Sequence, residues 1–143
     1  MTTTTINPSD PKVLGGLCAY INVEGAAKAA EFYKAAFGAE TLHMVPPDEQ
    51  GRTMHVHVYV NNASLMISDF YPDYGHPFEQ PQAFTLQLHL KEEEIDDWWR
   101  RAVDAGCSID TPLQEMFWGD RWGRLKDPFG VAWAMNAPIK KAA

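Results

Sequence analysis

The sequence predicts an α+β protein of two βαβββ modules whose strands form a curved mixed sheet around a central cleft. The first observation behind this is that the apolar period switches from two to helical and back, in the same order, twice along the chain. The second is that each helical stretch ends at a glycine, Gly38 and Gly106. The third is a glycine-punctuated aromatic segment, Phe117 to Trp133, that reads as loop, strand, tight turn and strand.

Residues 1–13 are polar with two prolines and read as a flexible arm. The first module occupies 14–69. Leu17 to Val23 alternates as a strand, with Ala19, Ile21 and Val23 on one face and Cys18, Tyr20 and Asn22 on the other. From Gly25, residues Ala29, Ala30, Phe32, Tyr33, Ala36 and Phe37 recur at helical spacing. Strands follow at Ala39–Val45, Met54–Val60 and Ala63–Asp69. Asn61-Asn62 suits a two-residue hairpin, because Asn tolerates positive φ. Residues 70–82 hold three prolines and four aromatics and read as a connector that packs on something.

The second module spans 83–137, followed by a tail at 138–143. Ala83 to Lys91 reads as a strand, Glu92 to Ala105 as a helix with acids in its first turns, as the helix dipole favours. Strands at Cys107–Leu113, Arg121–Lys126 and Val131–Asn136 complete it. Asp127-Pro128-Phe129-Gly130 has the chemistry of a β-turn: Asp caps amides, Pro fixes φ and Gly closes.

The composition bounds what such a protein does. It has 143 residues, a net charge of −7 and a pI near 5.1, which argues against nucleic acid or anionic membrane as partner. The start lacks the basic and apolar blocks of a signal peptide, and no run approaches the ~20 apolar residues of a membrane span. Cys18 and Cys107 lack metal or redox spacing and are expected as free thiols in a reducing cytoplasm.

Several residues carry candidate chemistry. His55 and His57 share one strand face, and Gln87 and His89 share another. These four either line a polar pocket or, combined in a cleft, hold a divalent metal. Arg121 stands between Trp118 and Trp122. There it either clamps a carboxylate or phosphate or pairs with Asp120, Asp127 or Glu115 to fix the loop. Phe117, Trp118, Trp122 and Trp133 together predict an aromatic wall for a planar or apolar ligand, although each alone reads first as core. Tyr20 and Glu115 are the candidate proton carriers.

The segments Ala30-Glu31-Phe32-Tyr33-Lys34-Ala35-Ala36-Phe37-Gly38-Ala39-Glu40, Leu65-Met66-Ile67-Ser68-Asp69 and Phe117-Trp118-Gly119-Asp120-Arg121-Trp122-Gly123 resemble the PhnB-like branch of the vicinal oxygen chelate superfamily. That superfamily includes glyoxalase I, bleomycin-resistance proteins and extradiol dioxygenases. The resemblance covers roughly residues 17–136 and implies the glyoxalase/bleomycin-resistance/dioxygenase fold. It also implies a homodimer in which the partner chain finishes each cleft. Metal-using members place ligands at positions matching Cys18, Gln87 and Ala134 here, and Ala134 cannot ligate. Residues and resemblance together lead to a protein that binds a small organic molecule in an aromatic-lined cleft, without a tightly held metal. The alternative is a divalent-metal-dependent lyase, isomerase or dioxygenase using His55, His57, Gln87 or His89. A third reading is metal-free chemistry with Tyr20 or Glu115 moving the proton.

Overall fold

A computed structural model describes residues 12–139, so most of the expected arm and the end of the expected tail lie outside the described residues. The first module runs β1 (Ala19–Asn22), α1 (Ala26–Phe37), β2 (Glu40–Met44), β3 (Val56–Val60) and β4 (Ala63–Ser68). The second runs β5 (Leu86–His89), α2 (Ile95–Ala105), β6 (Ser108–Glu115), β7 (Asp120–Lys126) and β8 (Ala132–Pro138). The strands form two four-stranded sheets, in the orders β1-β4-β3-β2 and β5-β8-β7-β6. In each, the first strand pairs parallel to the last and the other pairs are antiparallel.

Alternation sorts every strand into two faces. The helix side of the first sheet carries Ile21, Val56, Val58, Leu65 and Ile67, all buried; that of the second carries Leu125, Trp133, Met135 and Ala137. These faces form one core through the helices. The Phe37 ring lies 4.4 Å from that of Trp133, Tyr33 lies 5.2 Å from it, and Arg101 Nε donates to the Ala36 carbonyl at 3.2 Å. Burying aromatic rings of this size is worth several kcal/mol in all, roughly 2 kcal/mol or more per ring.

Asp127 ties the modules together. One oxygen accepts the amides of Phe129 and Val131, both at 2.9 Å, closing the expected turn. The other accepts the Tyr33 hydroxyl at 2.6 Å and Trp133 Nε1 at 2.9 Å. Burial, reinforced by this carboxylate, raises the Tyr33 pKa and keeps the phenol a donor. Asp69 does similar work at the start of α1, where Gly25 adopts φ 97° and no side chain of the helix caps it. Its carboxylate accepts the amides of Gly25, Ala26 and Thr53.

The Asn61-Asn62 turn has φ of 48° and 64°, the two positive values a tight hairpin of this twist requires. The connector folds on itself and on the first module: Phe70 meets Phe78 at 5.1 Å, and Arg52 pairs with Asp73 while lying over Tyr71. No helix among the described residues is long and apolar enough to cross a membrane.

Candidate site at the seam between the modules

The faces turned away from the helices hold most of the polar candidates. In the first sheet, register sets Tyr20 beside Met66, Met66 beside His57 and His57 beside His43. The Tyr20 hydroxyl lies 2.8 Å from His55 Nδ1 and donates to the Met54 carbonyl at 3.1 Å, so Nδ1 is then the donor to the phenol. Burial raises the Tyr20 pKa. His57 is 2% exposed, and its Nε2 lies 2.8 Å from Ser64 Oγ, which also accepts the Leu14 amide at 2.7 Å. Burial, and then the neighbouring histidines, lower the pKa of both His55 and His57, so both are neutral near pH 7.

In the second sheet, one row reads Trp122, Asn136, His89 and the next Arg124, Ala134, Gln87. Trp122 Nε1 donates to Gln87 Oε1 at 3.0 Å, and Gln87 Nε2 lies 3.4 Å from His89 Nε2. Trp118 stands edge-on to Trp122 with centroids 6.4 Å apart, and Phe117 edge-on to Trp118 at 5.1 Å. Phe117 and Trp118 are 96% and 47% exposed, so the expected aromatic wall stands open to solvent in the single chain.

A cavity of about 210 Å³ lies where the modules meet, lined by Ala19, Ser64 and Leu65 of the first and Gln87, Leu88 and Trp133 of the second. Two of its polar lining residues, Ser64 and Gln87, are the partners of His57 and Trp122, which places the two clusters on either side of one seam. A larger hollow of about 770 Å³ sits under the connector at the start of α1. Of the charged groups lining it, Asp69 takes the helix amides and Arg52 is held by Asp48 and Asp73.

Three candidates stand elsewhere. Arg121 points to the helix side, where it makes a two-pronged pair with Asp96 at 2.7 and 2.9 Å. The physical reason is alternation: Arg121 and Trp122 are adjacent on β7 and therefore face opposite ways. None of the three acids expected as its partner is the one it takes. Glu115 is paired in register with Arg121 and shares that face, away from Tyr20 and Trp122. Trp133 is 2% exposed and packs in the core, presenting only one edge to the seam cavity.

The three positions that match the superfamily's metal ligands do not assemble a divalent ligand set here. Ala134 offers no donor, and its neighbour in register is the cationic Arg124. The Cys18 thiol donates to backbone carbonyls of Ala19 and Ser64, and burial raises its pKa. Among the described residues, no three His, Cys, Asp or Glu side chains converge as a ligand set. Arg124 was the residue sequence reasoning missed, although its place two positions from Trp122 puts it on the same face.

Two βαβββ modules joined through their helices, with polar and aromatic clusters at the seam, define a protein of the glyoxalase-type fold. The profile of the Glyoxalase/Bleomycin resistance protein/Dioxygenase superfamily matches residues 16–135, and the chain belongs to that superfamily. A relative, the uncharacterized protein Mb0911c of Mycobacterium bovis, is 33% identical over 130 residues, covering 87% of this chain and 84% of its own. The crystal structure of protein PA1353 from Pseudomonas aeruginosa superposes with a TM-score of 0.72 at 26% identity, covering 87% of this chain and 98% of that one. A PhnB protein from Bacillus cereus shares the fold with a TM-score of 0.63 at 24% identity, over 86% of this chain and 99% of that one.

Proposed function

We propose that this protein binds a small organic molecule at the seam between its modules, against the aromatic wall of Trp118 and Trp122, without a tightly held metal. The observation that carries the reading is the seam cavity, two of whose polar lining residues, Ser64 and Gln87, are bonded to His57 and Trp122. A fixed indole beside convergent donors is the usual furniture of a small-molecule site. The cavity of about 210 Å³ is small for an organic ligand, so the binding surface extends over the open faces beyond it.

A second copy of the chain closes those faces in this reading, forming a homodimer. The 96% exposure of Phe117 and the 51% exposure of Tyr20 support it, since large aromatic surface of this kind is commonly covered by a partner. Two free thiols support a cytoplasmic setting.

The test is tryptophan emission of purified protein titrated with a panel of planar small molecules. Saturable quenching is expected, lost in Trp122→Phe. Stoichiometric zinc, nickel, manganese or iron retained through purification and lost in His57→Ala would instead establish the metal-dependent enzyme.

A further inference from the structure

Resting on the binding reading above, we infer that the ligand is an organic anion, and that Arg124 holds its carboxylate or phosphoryl oxygens where related folds would hold a metal. Three observations converge on Arg124. Its Nε is shielded from solvent and has no hydrogen-bond acceptor among the described residues. Its guanidinium meets Asp110 at 3.6 Å, an ion pair too long to be a hydrogen bond. The side chain remains 39% exposed, so a ligand can reach it. Arg121, by contrast, is consumed by Asp96.

The neighbours add a donor beside the guanidinium. Gln87 spends its oxygen on the Trp122 indole and directs one N–H toward His89 Nε2 at 3.4 Å, which leaves the second N–H of its NH₂ on offer. Ala134 between Gln87 and Arg124 contributes only a methyl group, so no side chain on the strand between them competes for either. A flat anion laid on the Trp122 face would bring its charged oxygens to Arg124 and Gln87. The guanidinium fork suits two such oxygens, and among the described residues no protein acceptor lies within hydrogen-bond distance to satisfy it. A cation at this place would meet the guanidinium first.

The experiment compares 1-naphthoate with its neutral isostere 1-naphthamide, titrated into the full chain and read by calorimetry. Naphthoate is expected to bind about tenfold more tightly or better, the worth of one charge-assisted hydrogen bond. Arg124→Gln is expected to erase that preference, weakening naphthoate about tenfold more than it weakens naphthamide. Asp110→Asn, which frees the guanidinium, is expected to tighten naphthoate alone and serves should Arg124→Gln fold poorly. Equal binding of the two probes, or a preference that survives Arg124→Gln, overturns the anion inference and leaves the binding reading standing. Failure of both probes to bind at millimolar concentration overturns both.

Discussion

His57 is a buried imidazole kept neutral by its surroundings, and this gives it a thermodynamic signature. Its pKa in the folded chain lies below the ordinary value because burial disfavours the charged form, with His55 and His43 adding repulsion. Above the unfolded value of about 6.5 both states are neutral, and the Ser64 contact contributes fully. As pH falls through that value, the unfolded chain takes up a proton that the folded chain refuses, so stability declines. Urea midpoints at about pH 7.5 and about pH 5 are expected to separate in the wild type and to separate less in His57→Gln. Parallel losses in the two proteins would contradict this reading. Cys107 differs in kind: burial, with Asp127 nearby, pushes its thiol up to about 12, so it stays protonated and unreactive.

Elements are positioned by small residues at close approaches. Gly123 sits in β7 beneath α2, and a Cβ built there would lie 2.6 Å from two ring atoms of Trp99 and 2.9 Å from the Leu113 Cα. Neither neighbour yields easily, since one is a ring packed against the core and the other is backbone. Gly123→Ala is expected to cost roughly 2 kcal/mol or more, as overpacking of a tight site does, measured by urea unfolding. An unchanged midpoint would show that Trp99 moves freely. Alternation and helical spacing made most elements legible, including the Asn61-Asn62 hairpin, the Asp127 turn and the glycine that ends each helix. Boundaries were less so: α2 begins at Ile95, not Glu92, because Lys91 to Glu94 form a turn in which the Glu94 carboxylate accepts the Lys91 amide. The same alternation argument, applied to β7, would have sent Arg121 to the helix side and brought Arg124 to the open face. Reading a mixed aromatic and basic run as one patch hid that distinction. The partners of Arg121 and His57 were not legible, since Asp96 lies 25 positions from one and Ser64 seven from the other, each on a different element.

At the scale of the molecule, both helix-side faces are consumed in one core, leaving the seam and the open faces for recognition. The five tryptophans report on this division directly. Trp118 and Trp122 belong to the open wall, while Trp98 and Trp99 lie on α2, the first against Arg101 and the second over Gly123. Nuclear magnetic resonance of the indole N–H groups therefore separates a seam ligand from any other. The measurement is a two-dimensional nitrogen–proton spectrum recorded through a titration with 1-naphthoate. The Trp122 signal, whose hydrogen bond runs to Gln87, is expected to shift progressively and saturate, with Trp118 following and Trp98 and Trp99 unmoved. A titration that saturates while Trp122 stays still, or that moves the α2 tryptophans instead, would contradict binding at the seam.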